Sequence, residues 1–404
     1  MSTTERLYYT DSHLTEFEAR VTGIIDRVSG WATVTLDRTA FYPTGGGQPS
    51  DTGFIGEARV VECIDESASG VLHVVQGRTP KVGDLVRGHV DWPRRQDHMQ
   101  QHTGQHILSQ AFIALFDAET RGFRMLDQSS EVDVALDEPT DERIERAVQL
   151  ANSIIWDDRP VHVRQVTQEE AAQLSLRKES TRSGELRIIE IEGFDLTPCG
   201  GTHVRRTGEV GLIAVRHWER AKGLTRVEFI AGNRALADYD RANRTARAVA
   251  ALFSAGRDDA PAQVSRLQEA HKQLLRRVRV LEEMTTRVEA EELLAETNVR
   301  PDGARIIARN FEGRDAESLK RLAQAIIAQT GCVALLGSSD EGAARLVFAR
   351  AADGVGDMNA LMREACALLD GRGGGRPDLA QGGGRHVEKL SEAIAAAART
   401  LHAD

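Results

Sequence analysis

The sequence lacks any apolar run long enough to span a bilayer. Its longest runs, such as Val333 to Leu336 and Ile394 to Ala398, fall far short of the roughly 20 residues that a transmembrane helix needs. The N-terminus has no basic segment followed by an apolar stretch, so no secretory signal peptide is expected. These absences predict a protein that does not associate with membranes.

Cysteine and a surplus of basic residues are also lacking. The four cysteines among 404 residues are too widely spaced to resemble a disulfide framework, and this favours a reducing, cytoplasmic compartment. The formal net charge is −10. This balance argues against coating of nucleic acid by bulk charge, but it permits a local basic stripe on an acidic body.

Four segments with different residue patterns predict an α+β protein of several domains. Residues 1–90 mix β-branched residues with glycine and proline turns, which predicts a small antiparallel β-barrel. Residues 91–235 open with a helix that Asp91 can cap, and they continue as an α+β module. Residues 236–297 are helical, with a break at Ala260-Pro261, and residues 298–404 alternate strand and helix as a small α/β domain.

A short heptad stripe runs along the second half of the helical segment. Apolar residues recur there at alternating steps of three and four, namely Leu267, Leu274, Val278, Leu281 and Val288. A coiled-coil homodimer and a linker helix packed on a neighbouring domain both fit this pattern. The C-terminal domain, together with this seam, predicts a homodimer.

Histidine and cysteine residues form two halves of a predicted zinc site. His102 and His106 are four residues apart on the first long helix, so both imidazoles lie on one face. Cys199 and His203 flank two glycines and Thr202, which allow the backbone to fold so that the two side chains converge. Three imidazoles and one thiolate suit zinc. His98, one turn earlier, could be a further ligand, an outer partner or a core histidine, and we favour the outer partner.

A run of three glycines, Gly45, Gly46 and Gly47, stands between Thr44 and Gln48. Consecutive glycines are poor packing material, but they let the backbone approach a ligand closely. A turn between two strands needs only one or two of them. The pattern therefore favours a binding loop.

Four motifs together resemble the editing region of alanyl-tRNA synthetase. They are Gly45-Gly-Gly-Gln-Pro49, His102-x3-His106, Cys199-Gly-Gly-Thr-His203 and Lys222-Gly-Leu-Thr-Arg-Val-Glu-Phe229. The segment from Gly373 to Gly384 is similar to the glycine-rich C-terminal domain of the same synthetases, while the aminoacylation half has no counterpart here. The chain is identified as a member of the free-standing alanyl-tRNA editing proteins in their long form.

The resemblance implies a hydrolase that deacylates tRNA(Ala) mischarged with serine or glycine. It places zinc on His102, His106, Cys199 and His203, and it places Gln48 beside the aminoacyl end. Thr44, Gln48 and Thr202 are the expected catalytic or hydroxyl-reading residues, since a site that bonds the seryl hydroxyl rejects alanine. The three glycines and Arg226 are expected to contact substrate.

The role of the zinc remains open at this point. Four protein ligands are typical of structural sites, whereas catalytic sites keep one position open. One ligand could be loose, the ion could become five-coordinate, or zinc could only orient the terminal adenosine. A tRNA-binding accessory protein with a purely structural zinc is the alternative function. A phosphoesterase is disfavoured because the chain has no Asp-His-His motif.

Arginines near the second glycine-rich segment predict a tRNA clamp. Arg372 and Arg376 lie in a segment that we expect to be a flexible loop without a packing role, and Arg385 would begin the final helix. The basic row Lys272, Arg276 and Arg279 is interpreted instead as a solvated helix face.

Overall fold

A computed structural model describes residues 4–26, 30–66, 70–178, 184–340 and 342–403. The chain divides into two compact units, residues 1–249 and 250–404. The two units meet between residues 249 and 250, inside the predicted helical segment, and this division does not test the four predicted domains. Those domains therefore remain a prediction. Within the described residues, no helix combines the length and the apolar composition that crossing a bilayer requires.

Six strands of the first unit close into a barrel in the order β2-β3-β7-β6-β5-β8. Along the last of these strands, Val86, Gly88 and Val90 are buried and alternate with exposed residues, as a strand with one face on a core requires. This confirms the barrel predicted for the first segment. Two short strands, β1 (Glu5–Arg6) and β4 (Arg38–Thr39), pair beside it. The barrel strands are β2 (Glu16–Asp26), β3 (Trp31–Leu36), β5 (Gly53–Ile55), β6 (Ala58–Glu66), β7 (Gly70–Gln76) and β8 (Leu85–Val90).

His73 lies fully inside this barrel region as a neutral imidazole. Its Nε2 is 2.8 Å from Thr39 Oγ1 and its Nδ1 is 3.1 Å from Val34 O. Burial lowers the pKa of His73 to about 4, and the bond to Val34 only partly offsets that effect. The unfolded chain therefore takes up a proton on this side chain at a higher pH than the folded chain does.

Replacing His73 by glutamine is expected to weaken the acid sensitivity of folding between pH 6.5 and 4. A folded-state pKa below the unfolded value means that stability is complete above pH 6.5 and declines as the pH falls towards 4. Each pKa unit corresponds to about 1.4 kcal/mol, so the native side chain accounts for a loss of roughly 3 kcal/mol over that window. Urea unfolding at a series of pH values measures it, with the exposed His162→Gln as control. Parallel pH profiles for the parent and His73→Gln would contradict the assignment.

Helix α1 (Trp92–Phe116) follows the barrel and carries the first half of the predicted zinc site. Asp91 precedes it, Pro93 occupies its first turn, and Asp117 ends it in a left-handed conformation with φ of 54°. The helix is buried on nearly all sides from Met99 to Phe112, polar side chains included. Buried polar groups need hydrogen-bond partners, which makes this helix the natural centre of a site.

Two sheets and a second helix surround α1. One sheet has the order β14-β15-β10-β9 and the other the order β11-β12-β13. The elements are β9 (Thr120–Met125), β10 (Ser130–Val134), α2 (Asp141–Trp156), β11 (Val161–Val166), α3 (Gln168–Ala171), β12 (Leu186–Ile191), β13 (Asp195–Pro198), β14 (Ile213–Ala221) and β15 (Leu224–Ala231).

The predicted helical segment consists of α4 (Asn233–Ala251) and α5 (Ala260–Glu296). The predicted break at Ala260-Pro261 is wrong by several residues, because α4 ends at Ala251 and Pro261 lies in the first turn of α5, where its missing N–H costs nothing. The heptad residues of α5 are exposed; for Leu274 the exposed fraction is 60%. The basic row Lys272, Arg276 and Arg279 is also exposed, as predicted, and Arg279 pairs with Glu283 at 3.2 Å.

A five-stranded sheet in the order β16-β17-β18-β20-β19 forms the centre of the second unit. Helices α7 and α8 cover one face, where Leu335, Phe348 and Met362 share a core. Helix α6 and the end of α5 cover the other face around Leu293, Leu322 and Val347. The elements are β16 (Arg305–Glu312), α6 (Ala316–Ile327), β17 (Cys332–Asp340), β18 (Ala343–Arg350), α7 (Met358–Leu368), β19 (Gly371–Gly375), β20 (Leu379–Gly384) and α8 (Leu390–Ala403).

The glycine-rich segment 371–384 is a β-hairpin, so the predicted flexible loop is wrong. Its glycines pack against α7: a Cβ on Gly373 would lie 2.7 Å from Cys366 Sγ, and one on Gly382 would lie 2.5 Å from it. Glycine is required because helix and hairpin approach too closely for any side chain. Arg385 also differs from its prediction, since it precedes the last helix, which begins at Leu390.

Candidate metal centre and its cavity

Two distant segments bring four metal-binding side chains together. The ligand atoms of His102, His106, Cys199 and His203 all lie within 4.8 Å of one another. Cys199 Sγ is 3.4 Å from His102 Nε2 and 3.3 Å from His203 Nε2. The three imidazoles are buried, and the thiol is partly buried. The structure thus brings together the four residues that the two sequence motifs singled out.

The glycines after Cys199 are explained by the close approach of this loop to α1. A Cβ on Gly201 would lie 2.1 Å from His102 Cε1 and 2.4 Å from its Nδ1, which no side chain can tolerate. The Gly201 N–H also faces Cys199 Sγ at 3.4 Å. The Cys-Gly-Gly-Thr-His pattern therefore places backbone, rather than side chain, against the ring of a neighbouring ligand.

Each imidazole is oriented from outside the cluster through its Nδ1 atom. His102 Nδ1 is 2.8 Å from Gln48 Oε1, His203 Nδ1 is 3.1 Å from Thr103 Oγ1, and His106 Nδ1 is 3.1 Å from Asp195 Oδ2. Such outer contacts are typical of metal-binding histidines, because they fix the ring and the tautomer. They leave all three Nε2 atoms for a common ion.

The electrostatics of the cluster fit a cation. Burial alone would raise the pKa of the Cys199 thiol, but the three surrounding imidazoles lower it well below its usual value. Burial lowers the pKa of His203 to about 3, so that this ring is neutral. Burial also lowers the pKa of His106, but the Cys199 thiolate and Asp195 raise it overall. A thiolate together with imidazoles is a donor set that zinc binds.

Asp195 is the outer contact with the clearest expected effect. Its side chain is fully buried, and Arg177 Nε donates to its Oδ1 at 2.7 Å. Replacing it by asparagine removes the charge that supports His106 while keeping the shape. We expect zinc affinity to fall roughly 10–100-fold, as is common for such outer partners. Competition with a chromogenic chelator measures it, and Asp133→Asn, on the exterior beside Arg226, serves as control. Equal affinities in both variants would refute the role.

A cavity of about 570 Å³ opens beside the cluster. Its wall includes Cys199, His102 and His106 on the metal side and Phe123 and Gly46 opposite. Four cationic residues also line it. Arg177 is neutralised by Asp195 and Arg121 by Glu119, at 2.9 Å. Arg187 and Lys178 have no such carboxylate partner among the described residues. The cavity therefore joins a metal-binding cluster to a cationic wall.

The glycine loop reaches this cavity through its backbone. Gly46 lines the wall, and Gly47 is so close to β9 that its Cβ would lie 2.6 Å from Phe123 O. Both glycines have left-handed φ values, 57° and 84°. Gly45 is paired with Gln48 across the turn and is not part of the wall. A close backbone approach, as the sequence predicted, is what these glycines permit.

The three predicted catalytic residues do not line the cavity. Thr44 is exposed, and its Oγ1 accepts the Ser50 N–H at 3.1 Å. Gln48 and Thr202 are fully buried behind His102, where Gln48 Nε2 donates to Thr202 Oγ1 at 2.8 Å. Their geometry is that of residues that hold the metal ligands and the glycine loop in place.

The remaining predicted residues are not among those that line the cavity. Arg226 pairs with Asp133 at 2.8 Å on the β15–β10 face. Arg372, Arg376 and Arg385 are exposed in the second unit, and Arg376 pairs with Asp378 at 3.1 Å. His98 is buried with its Nδ1 unbonded, and burial lowers its pKa to about 4. The outer role that we favoured for His98 belongs instead to Gln48, Thr103 and Asp195.

Sequence reasoning missed Asp195, Arg177 and Arg187. Asp195 and Arg177 support His106, and Arg187 Nη1 donates to the carbonyl oxygens of Cys199 and Gly201. The available signal was weak. A charged residue next to an apolar strand, such as Asp195 beside Phe194 and Leu196, indicates a buried partner without saying which one.

Three family models match separate parts of the chain. The threonyl and alanyl tRNA synthetase second additional domain matches residues 186–228, which contain the Cys199 loop. The DHHA1 domain matches residues 303–403, and the class II (A) tRNA synthetase model matches residues 2–94. Both units therefore resemble parts of aminoacyl-tRNA synthetases.

Curated relatives extend this likeness over nearly the whole chain. The alanyl-tRNA editing protein AlaX-L of Pyrococcus horikoshii is 33% identical over 96% of this chain and 96% of its own length. The alanine–tRNA ligase of Natronomonas pharaonis is 33% identical over 98% of this chain but only 44% of its own length. The alanine–tRNA ligase of Pyrobaculum neutrophilum is 36% identical over 72% of this chain and 34% of its own length. The chain thus spans less than half of these ligases.

Proposed function

Because this chain belongs to the alanyl-tRNA editing protein family, we propose that it hydrolyses the ester of tRNA(Ala) charged with serine or glycine, at a zinc site. The observation that carries the proposal is the convergence of three imidazoles and a thiolate, of which His102, His106 and Cys199 line a cavity of about 570 Å³. We expect it to act in the cytoplasm, where aminoacyl-tRNA is used.

The residues of the site have different roles in such a hydrolysis. His102, His106, Cys199 and His203 would hold a zinc ion, which would supply Lewis acidity for the hydrolysis. Gln48, Thr103 and Asp195 hold the imidazoles in fixed orientations, so the donor set needs no rearrangement when substrate binds. The glycine loop leaves room for the aminoacyl end. Among the predicted catalytic residues, Thr44 and Thr202 then act by positioning the glycine loop and Gln48.

Selection of serine over alanine requires a polar contact for the seryl hydroxyl. Gln105 and Thr120 are polar residues of the cavity wall, and both hydrogen-bond to the buried Ser109 Oγ, at 2.8 and 2.6 Å. A hydroxyl that joins this network gains a bond that alanine cannot make, and this is how a polar site discriminates between substrates that differ by one hydroxyl. Glycine would be admitted by its small size.

An accessory tRNA-binding role with a structural zinc is the second candidate. The four protein ligands favour it, because structural zinc sites are closed in this way. Incubation of the purified protein with Ser-, Gly- and Ala-tRNA(Ala), with and without a zinc chelator, separates the two. We expect release of serine and glycine that the chelator abolishes, with Ala-tRNA(Ala) spared. Stable Ser-tRNA(Ala) in the presence of the zinc-loaded protein would establish the accessory role instead.

The second unit is proposed to hold the body of the tRNA. Its DHHA1 match and the exposed Arg372, Arg376 and Arg385 support this role. Strand β19, which carries Arg372, is the edge strand of its sheet, so a phosphate chain can come close to it.

Replacing Arg372, Arg376 and Arg385 together by glutamine is expected to raise the half-saturating tRNA concentration. Hydrolysis at saturating tRNA should stay nearly unchanged, because the ester is bound elsewhere. Loss of up to three phosphate contacts should reduce the slope of log affinity against log salt by roughly 3. Filter binding at several salt concentrations measures this, with Arg399→Gln on α8 as control. An unchanged slope would remove these arginines from the tRNA contact.

The exposed heptad face of α5 supports the proposed homodimer. Leu267, Leu274 and Leu281 each expose more than half of their surface, which is unfavourable unless another apolar surface covers them. A light-scattering mass of two chains would support this, and a mass of one chain at micromolar concentration would refute it.

A further inference from the structure

The loop after Cys199 contains one backbone amide without a partner. Within the described part of the chain, the Gly200 N–H has no hydrogen-bond acceptor, although the five other amides between residues 199 and 204 each have one. Gly200 is only partly buried, and it lines the cavity next to the metal ligand. The acceptors of the other five are Arg187 O, Cys199 Sγ, Gln48 Oε1, Ser12 Oγ and Thr103 Oγ1, in chain order.

Arg187 fixes the direction of this free amide. Its Nη1 donates to Cys199 O at 2.7 Å and to Gly201 O at 2.9 Å, so the guanidinium brackets Gly200 on both sides. No peptide bond between described residues is cis. In a trans peptide the C=O and the following N–H point in opposite directions, so the Gly200 N–H points away from Arg187. The loop cannot rotate this peptide without breaking a charged hydrogen bond.

Apart from the two loop carbonyls, Arg187 contacts Tyr9, whose ring centroid lies 5.4 Å from the guanidinium carbon. Its Nε donates to Tyr9 O at 3.0 Å, its Nη2 is buried without a hydrogen bond, and no carboxylate of the described residues pairs with it. Burial of a charged group costs free energy, so it is unusual for a partly buried guanidinium to hydrogen-bond to backbone carbonyls without a carboxylate partner. Its effect on the Cys199 carbonyl is to polarise the peptide and strengthen the N–H at its other end as a donor.

We propose that the Gly200 N–H donates a hydrogen bond to the carbonyl oxygen of the scissile ester as that oxygen becomes an oxyanion, and that Arg187 is the positioning residue for this amide. The inference rests on the proposed hydrolase function and deepens it. A preorganised backbone donor beside developing negative charge is among the strongest contributions to ester hydrolysis.

The proposed step is a simple hydrolysis. The oxygen of water attacks the ester carbonyl carbon, and the electron pair of the C=O bond moves onto the carbonyl oxygen, where the Gly200 N–H bonds to it. Collapse restores the C=O bond and breaks the bond from carbon to the ribose oxygen. That oxygen takes up the proton released by the attacking water, so the products are the free amino acid and the tRNA hydroxyl, without oxidation or reduction.

Gly200→Pro and Gly200→Ala form the matched pair that tests the amide. Proline removes the N–H and alanine keeps it, and Gly200 is not among the glycines with a left-handed φ. We expect Gly200→Pro to hydrolyse Ser-tRNA(Ala) about 10²–10³ times more slowly than Gly200→Ala in single turnovers. Both should bind zinc fully and should bind a non-hydrolysable 3′-serylamide analogue of the substrate within about threefold of each other.

If the proline variant loses zinc, a second variant tests the amide. It carries glycolic acid at position 200, inserted by suppressor tRNA in cell-free synthesis. It replaces the amide by an ester and deletes only the N–H. The expected loss is again about 10²–10³-fold against the parent protein made in the same way. Equal single-turnover rates with and without the N–H, at full zinc occupancy, would overturn the proposal. A parent protein that does not deacylate Ser-tRNA(Ala) would instead overturn the hydrolase function itself.

Arg187→Gln tests the positioning role separately. We expect kcat to fall at least about tenfold with KM and zinc content nearly unchanged, because the loop keeps its ligand but loses its fixed amide. Arg187→Lys should restore part of kcat, since an ammonium can reach one of the two carbonyls. A purely structural residue would lower the melting temperature without lowering kcat per zinc-loaded molecule, and this result would remove Arg187 from the mechanism.

Discussion

Replacing Cys199 by alanine is expected to abolish zinc binding and to lower the deacylation of Ser-tRNA(Ala) by at least about hundredfold. The thiolate is the anionic ligand of the cluster, and the three surrounding imidazoles lower its pKa well below the usual value. Losing the ion removes several kcal/mol of charge stabilisation from the ester hydrolysis. Elemental analysis of freshly purified, untagged protein should show about one zinc per chain in the parent and none in the variant.

Cys332→Ala is the matched control for this experiment. Cys332 is a buried thiol in a core of the second unit, and its hydrogen bond goes to a backbone carbonyl, Thr330 O at 3.6 Å. Its replacement should leave zinc content and deacylation unchanged. The assignment of the zinc site would be contradicted by parent protein without any metal, or by a Cys199→Ala variant that retains one zinc.

Arg95→Met is expected to destabilise the first unit by roughly 3–5 kcal/mol. Arg95 and Asp51 form an ion pair with no solvent exposure on either side chain, in which Arg95 Nε is 3.1 Å from Asp51 Oδ1. Arg95 also donates to Ser12 O and Ala40 O, both at 2.6 Å. Removing the cation leaves a buried carboxylate and two carbonyls without their donor, which is the costly way to break such a pair. Urea unfolding at neutral pH measures the loss.

Arg124→Met is the control on a surface pair. Arg124 bonds Glu131 with more than half of its own side chain exposed, and exposed pairs contribute at most about 1 kcal/mol. A similar small loss for Arg95→Met would show that water or local rearrangement relieves the buried carboxylate. The effect on zinc is also informative, because Arg95 lies on the helix that carries His102 and His106. Destabilisation without loss of zinc at low temperature would separate stability from the geometry of the site.

The sequence was most informative where chemistry and local periodicity coincide. His102 and His106 share a helical face, and Cys199 and His203 share a glycine turn, so each half of the site follows from spacing alone. The barrel was predictable because β-branched residues and turns alternate in its strands. Helix α1 was predictable from Asp91 and Pro93 at its start.

Contacts between distant segments were beyond such reasoning. Gln48, Thr103 and Asp195 each support one imidazole, but they come from a barrel loop, the helix itself and a strand, and nothing in their local sequence selects that partner. Thr44 and Thr202 illustrate the converse. Both stand beside motif residues, yet their hydroxyls are used by the backbone of Ser50 and by Gln48, away from the cavity.

The prediction of a flexible loop at the glycine hairpin β19–β20 was wrong for a related reason. Consecutive glycines are typical of flexible loops when they are read locally. Here glycine is needed because the hairpin lies too close to α7 for side chains. Cys366 and Met362 occupy the volume that those side chains would need. Packing distance is a property of the assembled sheet, and no pattern within residues 371–384 encodes it.

The separation of the metal ligands along the chain couples zinc binding to the folding of the first unit. Cys199 and His102 are 97 residues apart, and the chain between them supplies helix α2 and strands of two sheets. Closing a loop of this length costs roughly 5 kcal/mol of chain entropy, so no local segment can form the site by itself. Because the ion binds the folded cluster, its binding free energy adds to the stability of the unit. Metal supply is therefore expected to govern the yield of folded protein as well as its activity.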